Sequence, residues 1–210
     1  MMQHFSRRVR TPLLAVTSAL LLAFAVGTAS ANNLSFSNRN QRIVWSALNF
    51  IAGSSTITCA MTLEGSFHES TTAKVIGRLL GYITRATVGT CTRGSATVLN
   101  ETLPWHIQYA GFTGRLPTIT SVLLNIVGLS WGLQPEGSLK CLLRTEANHP
   151  FRSEAIVEGG VIVGLRVLPE AEIPLTGEGG LCIFGGSGHF EGTGRVTLLG
   201  ATTAISIRLI

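Results

Sequence analysis

The stretch Thr56-Ile57-Thr58-Cys59-Ala60-Met61-Thr62-Leu63-Glu64-Gly65-Ser66-Phe67 sets Ile57, Cys59, Met61 and Leu63 on one face and Thr58, Thr62 and Glu64 on the other. A period of two is the pleat of a β-strand with one side buried. Working outward, Trp105, Ile107 and Tyr109 alternate in the same way with His106 and Gln108. Ile119 to Leu133 is a long apolar run, with Val122, Leu124 and Ile126 on one side and Leu123, Val127, Leu129 and Trp131 on the other. Both of its faces read as covered. Ala96–Leu99, Leu139–Arg144, Ser153–Glu158, Val161–Leu168, Gly180–Phe184, Gly194–Leu199 and Ala204–Leu209 read as further strands. Paired glycines such as Gly159-Gly160, Gly179-Gly180 and Gly185-Gly186 punctuate them as turns. Many short strands with frequent turns predict an all-β fold, an antiparallel sandwich or partly closed barrel.

One segment reads differently. Between Thr71 and Ala86, Val75, Leu79 and Ile83 fall on one helical face, with Lys74, Arg78 and Arg85 opposite. That is a basic amphipathic pattern, of a kind that can touch an anionic membrane surface. Gly77 and Gly81 weaken a helix, and Tyr82 to Val88 reads equally well as a strand. The expectation is at most one short helix near 70–80, followed by a strand.

The N-terminus reads as an export signal. Arg7, Arg8 and Arg10 precede an apolar run from Leu13 to Val26, and Ala29-Ser30-Ala31 offers small residues for cleavage. The expected organisation is a signal peptide over 1–31, a polar N-terminal arm over 32–41, and a single β-rich domain over 42–210. Without the signal, Lys plus Arg falls from 16 to 13 against 11 acidic residues, a net charge near +2. No dense basic stripe remains, so nucleic acid is not an expected partner. All the acidic residues are glutamates. The absence of aspartate excludes an aspartic-protease dyad, an Asp-completed triad and an Asp-rich calcium loop.

Four cysteines, Cys59, Cys91, Cys141 and Cys182, suit two disulfides in an exported chain. Cys59–Cys91 with Cys141–Cys182 is the favoured pairing among three, because each closes a local loop. With no Cys-x-x-Cys pair, the spacing does not suit a zinc site, and no cofactor is expected. The histidines after the signal, His68, His106, His149 and His189, form no metalloprotease motif. His189 and Glu191 share a strand face, where a base or a metal ligand is conceivable. Gly185-Gly186-Ser187-Gly188 fits neither a phosphate loop nor a nucleophile elbow. The richest candidate surface is Leu103-Pro104-Trp105-His106-Ile107-Gln108-Tyr109, with Trp105, His106 and Tyr109 as candidate ligand-binding residues. The competing reading puts Trp105, Ile107 and Tyr109 on the inward face of a core strand.

The run from Cys59 through Thr62-Leu63-Glu64-Gly65-Ser66-Phe67, then Cys91-Thr92-Arg93-Gly94, Leu103-Pro104-Trp105 and two later cysteines resembles small exported bacterial β-proteins of actinobacterial type. The resemblance implies bacterial export and a disulfide-stapled β-domain, and it assigns no catalytic residue. The expected function is an exported, non-catalytic surface or extracellular binding or structural protein. The alternatives are a membrane-associated β-barrel or pore component, and a secreted hydrolase using His and Glu.

Overall fold

A computed structural model describes residues 33–137, 139–169, 172–177, 182 and 186–210. The expected signal peptide and most of the expected strand at 180–184 lie outside the described residues. The elements in chain order are β1 (Asn33–Phe36), β2 (Asn40–Ala52), β3 (Ser55–Phe67), β4 (Thr71–Ala73), β5 (Leu79–Thr92), β6 (Gly94–Val98), β7 (Trp105–Arg115) and β8 (Thr118–Val127). They continue as β9 (Ser130–Pro135), β10 (Cys141–Arg144), β11 (Phe151–Glu158), β12 (Val161–Val167), β13 (Ile173–Gly177), β14 (Ser187–Glu191), β15 (Thr193–Leu198) and β16 (Ile205–Leu209). One 3-10 turn, Asn100–Thr102, is the helical element among the described residues.

Eight strands close on themselves in the order β2, β3, β5, β7, β8, β11, β12, β15 and back to β2. Every pairing in the ring is antiparallel. The period of two read in β3 is the wall of this barrel: Ile57, Cys59, Met61 and Leu63 are buried, and the residues between them are partly exposed. Ile43, Ile107, Ile126, Leu165 and Val196 join them inside. Side chains fill the interior, as they do in small eight-stranded barrels. Among these side chains lies an apolar-lined void of about 20 Å³, room for about one water, with Gln41 at its edge.

Both ends are plugged. At one end β4, β1 and β16 extend the sheet from β12, and Phe36 stacks on Phe67 at 3.9 Å. At the other, β6, β9, β10, β13 and β14 form a second sheet that joins the barrel through β14 and the distal half of β2. Phe190 of that sheet meets Trp131, Phe151 and Phe50 at 4.8, 5.2 and 5.4 Å. Such edge-on aromatic pairs add packing energy beyond their buried area.

The disulfides are Cys59–Cys91, across the β3–β5 pair, and Cys141–Cys182, which ties β10 to the segment before β14. Two expectations need correction, and a third, at most one short helix near 70–80, is met with none. Residues 33–36, expected as part of a polar arm, are β1, because Leu34 and Phe36 find a buried partner in β16 at the far end of the chain. No helix forms near 70–80: β4, a turn and the start of β5 occupy it. Gly77 sits at φ +81°, and Gly81 lies so close to β3 that a Cβ would stand 2.3 Å from the Ser66 carbonyl oxygen. The 119–133 run is two strands. Gly128, at φ +87°, ends β8, after which Leu129, Trp131 and Leu133 turn into the core under the second sheet. Leu123 and Val127 stay half exposed on the outer wall.

Candidate functional site

The filled interior leaves recognition to the outer wall, where every second residue of each barrel strand points away from the core. The β2–β15 pair closes the ring, with Arg195 opposite Val44 and Thr197 opposite Arg42. Arg42, Val44 and Ser46 project outward from β2, and Thr193, Arg195 and Thr197 from β15. Ala201 and Thr202, from the β15–β16 turn, complete an open groove of about 440 Å³. Alternate residues of a strand stand about 7 Å apart, so the groove offers an elongated set of donors along the strand axis.

Local packing sets this geometry. Gly194 lies flat against the buried Trp45 ring, where a Cβ would come within 2.6 Å of the indole. That close approach seats β15 on β2 and turns the flanking Thr193 and Arg195 to the outside. The groove is cationic. Arg42 Nε lies 3.5 Å from Glu64 Oε1, and Arg85 Nη1 lies 3.5 Å from Glu64 Oε2. Two guanidiniums thus share one carboxylate, and among the described residues Arg195 has no carboxylate within ion-pair distance. Guanidinium donors bind carboxylate, sulfate or phosphate oxygens in pairs. The hydroxyls of Ser46, Thr193, Thr197 and Thr202 donate and accept. Val44, 39% exposed, gives the groove an apolar floor.

The residues singled out from sequence fall elsewhere. Trp105 and Tyr109 are buried in the lumen at 0% and 3% exposure, and of the three candidate binding residues His106 alone faces solvent. The Trp105 indole donates to Thr102 Oγ1 at 2.8 Å. Burial pushes the Tyr109 phenol above its ordinary pKa. His68, Tyr82 and His106 stand in a row on the outer wall, with successive ring centroids 5.9 and 5.4 Å apart. His149 lies in an exposed turn with Glu146. His189 sits between two carboxylates, its Nδ1 3.3 Å from Glu172 and its Nε2 3.6 Å from Glu191. Each ring nitrogen faces a different carboxylate, so the three side chains do not converge on a shared centre. Among the described residues no three His, Cys or Glu side chains come together as a metal site. The groove residues Arg42 and Arg195 were missed in the sequence. The available signal was the outward alternation Arg42-Val44-Ser46 and Thr193-Arg195-Thr197, which acquires meaning only once the two strands are known to be neighbours.

No family model, no curated protein and no solved structure matches this chain.

Proposed function

We propose that this chain is an exported, non-catalytic binding protein of the cell surface or extracellular space, and that its β2–β15 groove holds an acidic polysaccharide. The observation that carries the reading is the groove itself: Arg195 without a carboxylate partner among the described residues, Arg42 beside it, and four hydroxyls around an aliphatic floor. Guanidiniums suit the acidic substituents of such a chain, hydroxyls suit its alcohols, and an open groove suits a polymer that continues past both ends. The two disulfides support passage through an oxidising compartment. The side-chain-filled lumen favours a binding role over a pore, because a conducting barrel needs a polar, watery interior and an apolar outer band.

The test is binding of polygalacturonate, with neutral dextran as control, by the protein and by Arg195→Glu. Arg195 is exposed, so the variant should melt as the parent does. The reading expects polygalacturonate binding that weakens as salt rises, no dextran binding, and a loss of about tenfold or more in the variant. Equal affinity in parent and variant, or no binding by the parent, overturns it.

A further inference from the structure

The two most exposed large apolar side chains among the described residues are neighbours: Ile76 at 78% and Val75 at 60%. They belong to the connector between β4 and β5 and are flanked by Lys74 and Arg78. The connector is tied to the barrel wall. Gly77 N–H donates to the Tyr109 carbonyl at 2.8 Å, and Tyr109 N–H donates to the Arg78 carbonyl at 2.8 Å. Further along, Lys74 Nζ lies 5.2 Å from the centroid of the Phe112 ring. The connector therefore runs beside β7 toward the β7–β8 turn, which begins four residues beyond Phe112. Arg115 closes β7 and Leu116, 50% exposed, opens the turn. Residues 71–78 and 113–118 hold Lys74, Arg78 and Arg115 and no acidic side chain. Glu69 lies between β3 and β4 and Glu158 closes β11, while Glu154, which accepts from Ser121 beside Thr113, is ion-paired with Arg166.

From this arrangement we infer a second surface, independent of the polysaccharide groove: the 74–78 connector and the β7–β8 turn dock the protein on an anionic lipid bilayer. Short apolar tips ringed by cations match the boundary between acyl chains and anionic headgroups. A second copy of the chain fits less well. A stable protein interface buries about 800 Å² on each partner, and Val75, Ile76 and Leu116 are three exposed apolar side chains set among the cations Lys74, Arg78 and Arg115. The groove behind Ile76, lined by Ala110, Leu123 and Leu168 with Arg152, continues the same apolar and cationic character onto the wall.

The test is flotation of the purified protein with phosphatidylglycerol–phosphatidylcholine vesicles and with pure phosphatidylcholine vesicles, for the parent, Val75→Ser/Ile76→Ser, and Arg78→Ser. All three carry the same N-terminal segment, so a difference between them reports the connector alone. The parent should float with the anionic vesicles and not the neutral ones. The apolar double variant should lose about tenfold or more in partitioning, and Arg78→Ser about fivefold. A thermal melt on each variant checks the fold; if the double variant does not fold, Arg78→Ser carries the test. Absence of flotation, equal flotation with both vesicle types, or parent-like flotation by the variants overturns the inference. So does a change from dimer to monomer in the double variant with vesicle binding intact, which would assign the face to a second copy.

Discussion

Gly81→Ala is the substitution that tests how the barrel wall is built. Gly81 sits opposite Phe67 where β5 leaves β3, beside a register shift at Glu64/Gly65. A methyl group there would stand 2.3 Å from the Ser66 carbonyl oxygen and 2.9 Å from the Phe67 Cα, both backbone atoms, where ordinary contacts lie at 3.4–4 Å. The strands must part by about 1 Å. In an open sheet an edge strand could drift. Here β5 is held by β3 on one side and β7 on the other, so relief on one edge strains the other. Forced overpacking costs about 1–3 kcal/mol, and loss of one ladder hydrogen bond adds about 1 kcal/mol. Loss of glycine's freedom in the unfolded chain returns about 0.4–1 kcal/mol. The net loss is about 1–3.5 kcal/mol, or about 2–14 °C in melting temperature for a chain of this size.

Gly77→Ala is the matched control. Its Cβ meets nothing within 4 Å, and the penalty comes only from φ +81°. That costs about 1–2 kcal/mol, largely offset by the same unfolded-state gain, so the variant should lie within about 1 kcal/mol of the parent. The assay is urea denaturation followed by tryptophan fluorescence, with thermal melts alongside. If Gly81→Ala proves as stable as Gly77→Ala, the close β3–β5 approach does not constrain the wall and the reasoning fails.

Two further outcomes follow from the same structure. Replacing Cys59 and Cys91 together by alanine opens a loop of 32 residues and should lower stability by about 3.5–4 kcal/mol on the chain-entropy account; a shift in the urea midpoint worth less than about 1 kcal/mol would show that the ring holds β3 to β5 without it. The Tyr109 phenol, raised by burial above 10.0, keeps its proton when folded at a pH where the unfolded chain has released it. Its contribution is therefore whole below about pH 10 and is lost as pH rises through the raised value. Tyr109→Phe should flatten the alkaline decline in stability, and identical slopes in variant and parent would remove Tyr109 as its source.

What could be read from the residues was what is local. The alternation in β3 identified a strand and its buried face, because a pleat needs no partner to be visible. The disulfide pairing was legible for a similar reason: Cys59 opposite Cys91 is a neighbouring-strand contact with one short strand between. Closure of the ring was not legible. It depends on β15 finding β2 from the opposite end of the chain, and neither strand carries a mark of its partner. Leu34 and Phe36 looked like part of a polar arm for the same reason, since the β16 residues that bury them come last. At Trp105, His106 and Tyr109 the alternation separated two faces correctly, but which face met the core depended on the other seven strands. Helical periodicity over 71–86 was a coincidence of spacing that Gly81, pressed on β3, does not permit.

The same closure explains why the candidate chemistry sits outside. A lumen filled by Trp45, Ile107, Ile126 and Leu165 leaves space for about one water, so selectivity for any larger ligand must come from the residues the core does not use. Those residues are positioned by the core nonetheless. Arg195 faces the groove because its neighbour Gly194 lies on the Trp45 ring, and Val196 on its other side points into the lumen. A side chain at 194 would lift β15 from β2 and move Arg195 away from Arg42, with no groove residue altered. The wall thus couples packing to recognition through one contact: the indole that fills the barrel also sets the spacing of the two guanidiniums outside it.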